Sequence, residues 1–181
     1  MENMKIINEL KEQLKFPPYD GFPDIELYMD QVLDFLSRSR ASLRDDDRLS
    51  SAMVNNYIKA ELLPRARGKK YSREHLVHLA IILRLKQVLS VKDTGKLISA
   101  YKQSKSDQVF FDSFREMIDD CANDICEKIS GADEDLADIA MRLAVDSYLS
   151  KIGCEYIIDL IIENGYTSLQ EVTDRASSNE K

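Results

Sequence analysis

The chain has 181 residues, 44% of them apolar and 31% charged, and a formal net charge of −7. This length suits one medium domain or two small ones, and the apolar fraction excludes a chain that stays disordered. The sequence has three cysteines and lacks a leader of basic residues followed by apolar ones, which argues against secretion. It has no apolar run long enough to cross a bilayer, which argues against membrane insertion. We therefore expect a cytoplasmic protein without membrane partners.

Glycine and proline are scarce, while leucine, isoleucine, glutamate and lysine are abundant, which predicts a mostly helical, all-α fold. Along the chain, hydrophobic spacing first predicts a helix over residues 2–15, which the segment FPPYDGFP ends. A second helix is expected over residues 24–38, with apolar positions from Ile25 to Leu36 at helical spacing. The charged loop SLRDDDR follows it.

The middle of the chain predicts three further helices. Ser50 or Ser51 can cap the helix AMVNNYIKAEL, which we expect to end at Pro64. The basic segment RARGKK then forms a short loop or hairpin at Gly68. Ser72 begins the helix REHLVHLAIILRLKQVL, which is apolar over most of its circumference and should be the central buried helix. A capping box at Ser90 begins the helix VKDTGKLISAYKQ.

The C-terminal third predicts four more helices, three of them ended by Gly131, Gly153 and Gly165. Their sequences are DQVFFDSFREMIDDCANDICEKIS, EDLADIAMRLAVDSYLSKI, CEYIIDLIIEN and SLQEVTDR. Aromatic residues in this region favour a helical core, with a dimer face as the second interpretation and a ligand pocket as the third. They are Tyr101, Phe110, Phe111, Phe114, Tyr148 and Tyr156.

Charge is distributed very unevenly along the chain. Residues 1–47 contain 6 basic and 11 acidic residues, residues 48–105 contain 13 and 3, and residues 106–181 contain 6 and 18. The middle segment thus has a net charge of +10 in a chain that is acidic as a whole. Because such a density of positive charge repels itself, it favours an anionic partner over a merely solvated loop.

The order of a helix, a basic loop and a serine-capped helix is that of a winged helix-turn-helix. The segment MVNNYIKAELLPRARGKKYSREHLVHLAIILRLKQVLSVKDTGKLI resembles the DNA-binding domain of MerR-type transcriptional regulators. Tyr57 matches the tyrosine of the recognition helix, residues 62–64 match its LLP, and Gly68 and Tyr71 match the wing. Asn55 and Asn56 depart from that pattern, which has an arginine and a tyrosine at these positions.

The chain also resembles a bacterial family, the domain of unknown function 1836 family, through DIELYMDQV, NNYIK, KKYSREHL and LKQVLS. This resemblance implies a MerR-like DNA-binding region followed by a helical part of unknown role. We accordingly expect an N-terminal helix over residues 1–19, a winged-helix domain over residues 20–105, and a helical regulatory or dimerisation domain over residues 106–176.

The residue types support the same function independently. Asparagine can pair bidentately with adenine, so Asn55 and Asn56 suit base reading, while Tyr57 and Lys59 suit phosphate contacts. We expect a recognition helix at about 51–62 and a basic wing at about 64–72, bound to double-stranded DNA as a homodimer. An adaptor whose basic patch docks an acidic protein is the alternative. The expected DNA-contacting residues are Ser51, Asn55, Asn56, Tyr57, Lys59, Arg65, Arg67, Lys69, Lys70, Tyr71 and Arg73.

No pattern predicts an enzyme, a cofactor or a metal site. His75 and His78 have a spacing that can hold a metal, but no cysteine or acidic cluster completes a site. The three cysteines, Cys121, Cys126 and Cys154, are interpreted as buried thiols rather than sensors. The acidic residues at 133–138 suit a helix start. Whether an effector binds the C-terminal domain stays open.

Overall fold

The computed structural model of the chain describes residues 2–38, 49–103, 105–132 and 135–165, together with Ser168 and Glu171. These residues form seven α-helices, a 3-10 turn and one two-stranded sheet, so the expected all-α class is confirmed. No helix in these ranges combines the length and apolar character needed to cross a lipid bilayer. The elements are α1 (Glu2–Leu14), the 3-10 turn (Tyr19–Gly21), β1 (Leu27–Tyr28), α2 (Met29–Arg38), α3 (Ser51–Lys59), β2 (Lys70–Tyr71), α4 (Arg73–Leu85), α5 (Val91–Lys102), α6 (Asp107–Ser130) and α7 (Leu136–Asn164).

Helix α4 is the centre of the core, as its all-round apolar sequence predicts. Every residue from Leu76 to Leu83 is buried. Helices α2 and α6 and strand β2 pack against α4, while α1 packs along α6 and α7 packs on α5. The arrangement buries a helix that has no polar face to offer to water.

One hydrophobic core joins residues that the sequence assigned to three separate units. The ring of Phe16, just after α1, lies 5.3 Å from that of Phe111 in α6, and Phe22 lies 5.3 Å from the same ring. Phe110 and Phe111 are both fully buried. The first half of α6 therefore belongs to the same core as α4.

The predicted helix over residues 24–38 is wrong at its start. Leu27 and Tyr28 form β1, which pairs antiparallel with β2 through Leu27 and Tyr71 and through Tyr28 and Lys70. Ile25 is 68% exposed, so it does not belong to the expected apolar face. Pairing with a strand more than forty residues away decides the local conformation, and helical spacing does not reveal it.

Helix α7 is continuous, whereas the sequence predicted a break at Gly153. Its first N–H groups are capped by the Asp135 carboxylate, which accepts from Ala137 at 2.7 Å and Asp138 at 3.0 Å. A glycine inside a helix costs only about 1 kcal/mol relative to alanine, which the good helix formers on both sides offset. Gly165 ends the helix at φ 65°, as expected. The helix predicted over 168–175 lies almost wholly outside the described residues.

Helix α3 ends at Lys59, five residues before the proline expected to stop it. The Ser50 hydroxyl caps its start by accepting the Met53 N–H at 3.2 Å. At its end, the Leu62 N–H donates to the Tyr57 carbonyl at 2.9 Å and the Glu61 N–H donates to the Ile58 carbonyl at 3.2 Å. These two bonds form a Schellman motif, and they place Glu61 in the left-handed region at φ 59°.

We expect Glu61→Gly to raise the free energy of unfolding by about 0.5–1 kcal/mol, because glycine adopts this backbone conformation without the clash of a Cβ atom. Urea unfolding followed by circular dichroism measures the change. Ala60→Gly is the matched control, since Ala60 has φ −83° and gains no such relief. Equal destabilisation by both changes would contradict the strain at Glu61.

Candidate nucleic-acid interface

The exposed face of α3 carries four of the residues predicted to contact DNA. Val54 and Tyr57 point into the core, one helical turn apart. The other side of the helix exposes Ser51, Asn55, Asn56 and Lys59. The helix therefore presents two amide side chains and a cation to solvent.

The basic segment after α3 forms a tight hairpin. The Arg67 N–H donates to the Lys70 carbonyl at 3.2 Å, and the Lys70 N–H donates to the Arg67 carbonyl at 3.0 Å. Gly68 and Lys69 have φ values of 57° and 67°, which is the pattern of a type I′ turn. Pairing of β2 with β1 fastens this hairpin to the chain that enters α2. The sequence predicted a short loop or a hairpin, and the structure has the hairpin.

Positive charge on this surface lacks internal compensation. In the described part of the chain, no carboxylate forms an ion pair with Lys59, Arg65, Arg67 or Lys69. All four side chains belong to exposed residues. Lys70 is half-buried, and its Nζ lies 5.6 Å from the centre of the exposed Tyr28 ring. Tyr28 falls within the helix that the sequence predicted over residues 24–38, so its position beside the hairpin was missed.

Arg73 was predicted to contact DNA, but in the structure its side chain bonds to other residues of the protein. Its Nε donates to the Phe22 carbonyl at 3.1 Å, and its guanidinium lies over the Tyr19 ring at 5.4 Å. Asp20 and Asp24 lie 3.8 Å and 3.9 Å from its terminal nitrogens. Arg73 thus ties the 3-10 turn to the start of α4, and we remove it from the candidate interface.

Tyr57 and Tyr71 also leave the candidate interface. They are only 2% and 4% exposed, and burial raises the pKa of both phenols. Their rings support α3 and the hairpin from beneath. Spacing already contained this signal for Tyr57, because it follows the apolar Val54 by three positions and so shares its face.

The histidines and cysteines are held in separate environments. The Ser72 N–H donates to His75 Nδ1 at 3.1 Å at the start of α4, whereas His78 contacts Asp107. Across the described ranges, no three His, Cys, Asp or Glu residues lie close enough to hold a metal ion. Cys126 is buried and Cys154 is half-buried, but Cys121 is exposed, which corrects the expectation that all three are buried.

Comparison with known proteins identifies one relationship. A family model described as "Domain of unknown function (DUF1836)" matches residues 17–120, more than half of the chain. The match runs from just before the 3-10 turn into the middle of α6, so it contains α3 and the hairpin and leaves out α7. No curated protein and no solved structure matches the chain.

Proposed function

The chain belongs to the DUF1836 family, and we propose that it is a cytoplasmic, sequence-specific DNA-binding regulator of transcription with a MerR-like winged helix-turn-helix. In this proposal α3 is the recognition helix and the hairpin around Gly68 is the wing. The observation that carries it is the exposed pair Asn55 and Asn56 beside cations that have no internal partner among the described residues.

The proposed geometry assigns each exposed group a distinct contact. An α-helix fits the major groove of B-form DNA, where an asparagine amide can pair with adenine N6 and N7. A basic hairpin beside that helix reaches the phosphates that border the groove. An adaptor for an acidic protein requires the cations but gives no role to two exposed amides. The proposal assigns no catalytic step, cofactor or metal.

We also propose that two copies assemble through α7. Six apolar side chains recur on one face of this helix, and each is 47–67% exposed. We call this set the α7 stripe: Met141, Val145, Tyr148, Leu149, Ile152 and Tyr156. It is an apolar seam at coiled-coil spacing and it has no cover among the described residues.

The area of the α7 stripe is large enough for a stable pair. At about 100 Å² of exposed surface for each side chain, the stripe covers about 600 Å² in each copy. A standard-size interface buries about 800 Å² for each partner, and side chains flanking the stripe supply the difference. A two-fold dimer places two recognition helices on DNA, so it reads paired half-sites.

The proposed reading of bases predicts that Asn55→Ala and Asn56→Ala each cost about 1–3 kcal/mol of affinity on the preferred sequence and little on random DNA. The preferred sequence is first selected from a random duplex pool with the unchanged protein. Affinities for the selected and a scrambled duplex are then measured by fluorescence anisotropy.

Lys59→Gln is the matched control for these variants, because it lies on the same face of α3 but contacts phosphate in this proposal. It should weaken both duplexes about equally. Asparagine variants that weaken both duplexes to the same extent would show that α3 does not read bases. Absence of any selected sequence would favour the adaptor.

A further inference from the structure

A cavity of about 320 Å³ lies between α4, α5 and α6. Ten residues line it, all of them from these three helices and none from α3 or the hairpin. Ile81, Ile98 and Phe110 are buried and form its inner wall. Met117 and Cys121 are the exposed members of the lining, so they mark its mouth. Protein cores contain few voids larger than one water molecule, so this gap in the packing is large enough to hold a ligand.

The lining of this cavity carries no charge. Among its ten described residues the Tyr101 hydroxyl and the Cys121 thiol are the only side-chain donors of hydrogen bonds. An ordered water needs about two to four polar partners, and two donors cannot supply them throughout the cavity. An apolar group that displaces such poorly ordered water gains affinity, whereas a charged group would lose its hydration and meet no opposite charge. The lining therefore favours an uncharged, apolar occupant.

Three aromatic side chains belong to this lining. The ring centres of Tyr101 in α5 and Phe110 in α6 lie 5.9 Å apart. Phe114 and Met117 follow Phe110 at helical spacing, so the three share one face of α6. Ring edges and a thioether sulfur make favourable contacts with an aromatic ligand. The sequence left a ligand pocket as the third interpretation of its aromatic residues, and these three of them meet at a cavity.

The dimensions of the cavity favour a small molecule over a protein partner. Its volume of about 320 Å³ equals that of about ten water molecules at about 30 Å³ each. Only Met117 and Cys121 of its lining are exposed, whereas each partner in a standard protein interface buries about 800 Å². A side chain from a second protein would therefore enter the cavity without the surrounding apolar area that holds a complex together.

We propose that this cavity binds an uncharged aromatic molecule of about ten to fifteen non-hydrogen atoms. The ligand enters past Met117 and Cys121 and replaces water against the rings of Tyr101, Phe110 and Phe114. It contacts α4 and α5, which follow the hairpin, and α6, which leads to α7. The site shares no residue with the candidate nucleic-acid interface, so ligand and DNA do not compete for the same side chains.

The test compares 1-naphthol, which is uncharged at pH 7, with naphthalene-1-sulfonate, which has the same ring system and a fixed negative charge. Each is titrated into the full-length protein with ¹³C-labelled isoleucine methyl groups. With 1-naphthol, the methyl resonances of the three isoleucines in the lining should move and reach saturation: Ile81, Ile98 and Ile118. Ile6 in α1 and Ile152 in α7 are exposed and should stay in place. The sulfonate should bind at least roughly tenfold more weakly, because no cation lines the cavity.

Met117→Asp should weaken the binding of 1-naphthol at least roughly tenfold, because it places a carboxylate against an apolar ligand at the mouth. Met117 is exposed, so the fold is preserved. Val109→Asp is the matched control: Val109 is exposed on the same helix but does not line the cavity, so binding should be unchanged. Leu97→Trp enlarges a half-buried side chain of the lining and should also weaken binding, with helix content checked by circular dichroism.

Movement of Ile152 without movement of the three isoleucines in the lining would place 1-naphthol on the α7 stripe and overturn the site. Equal affinities for the two probes, or equal affinities of Met117→Asp and Val109→Asp for 1-naphthol, would overturn it as well. So would an unchanged protein that shows no saturable response to 1-naphthol. No DNA is present in these measurements, so their outcome is independent of the proposed function.

Discussion

Replacing Arg67 and Lys69 together by glutamine should weaken binding to any DNA duplex at least roughly tenfold at low salt, because two charge-assisted contacts are lost. The dependence of log K on log salt concentration should become shallower by about 1.8, since each phosphate contact contributes about 0.9. Selected and scrambled duplexes should be affected about equally, because the proposed geometry places the hairpin on the DNA backbone. Fluorescence anisotropy between about 50 and 200 mM salt measures both quantities.

The control for this variant is Lys86→Gln/Lys92→Gln, which removes the same charge from the same basic segment. The hairpin leads directly into the first residue of α4, and Lys86 follows the last. The 13 residues of α4 span about 20 Å, so the two pairs of cations lie well apart. Equal losses by both double variants would show that net charge, not the hairpin, controls binding. An unchanged protein that binds no duplex at low salt would remove the DNA proposal.

Ile152→Glu should convert the proposed dimer into a monomer, raising its dissociation constant at least roughly hundredfold, because two carboxylates are buried without partners at the α7 stripe. Sedimentation equilibrium at tens of micromolar protein measures the change. Ile152 is about half exposed in a single copy, so helix content should be preserved. Affinity for paired half-sites should fall with the dimer, while affinity for a single half-site should change little.

Ser150→Glu is the control, since it adds the same charge to the exposed surface of α7 away from the stripe. Its dissociation constant should stay close to that of the unchanged protein. A monomeric unchanged protein, or equal dissociation by both variants, would show that the α7 stripe does not hold two copies together.

Local signals in the sequence were enough to define several helices. The serine at position 106 and the glycine at 131 enclose α6, and its predicted limits agree residue for residue with the structure. The central place of α4 followed from its uninterrupted apolar sequence. These features depend on neighbours along the chain, which is why the sequence contains them.

The errors arise where distant residues decide the outcome. Strand β1 exists only because β2 lies beside it, and Arg73 donates to the carbonyl of Phe22, about fifty positions earlier. The spacing of apolar and polar residues within either segment does not predict such contacts. The helix end predicted at Gly153 is wrong for a local reason. A glycine ends a helix only where the flanking residues do not continue it.

The sequence predicted which residue types the candidate interface contains but not which way their side chains point. The sequence pointed to the basic segment and the two asparagines, but it could not separate cations that face solvent from those with internal partners. His78 was weighed as a metal ligand, against packing near the wing or touching phosphate. Its contact with Asp107 depends on how α4 packs against α6 and leaves no pattern along the chain.

The pairing of β1 with β2 fixes how small an independently folding piece of this protein can be. Leu27 and Tyr71 are direct neighbours across the sheet, so the hairpin takes its final orientation only after the chain has closed a loop of more than forty residues. A fragment starting at α3 would lose the strand that holds the hairpin, and one ending before Phe111 would lose the ring that Phe16 and Phe22 pack on. The segment from α3 to the hairpin is therefore not a detachable module in the middle of the chain. Its final conformation depends on contacts with segments on both sides of it in the chain.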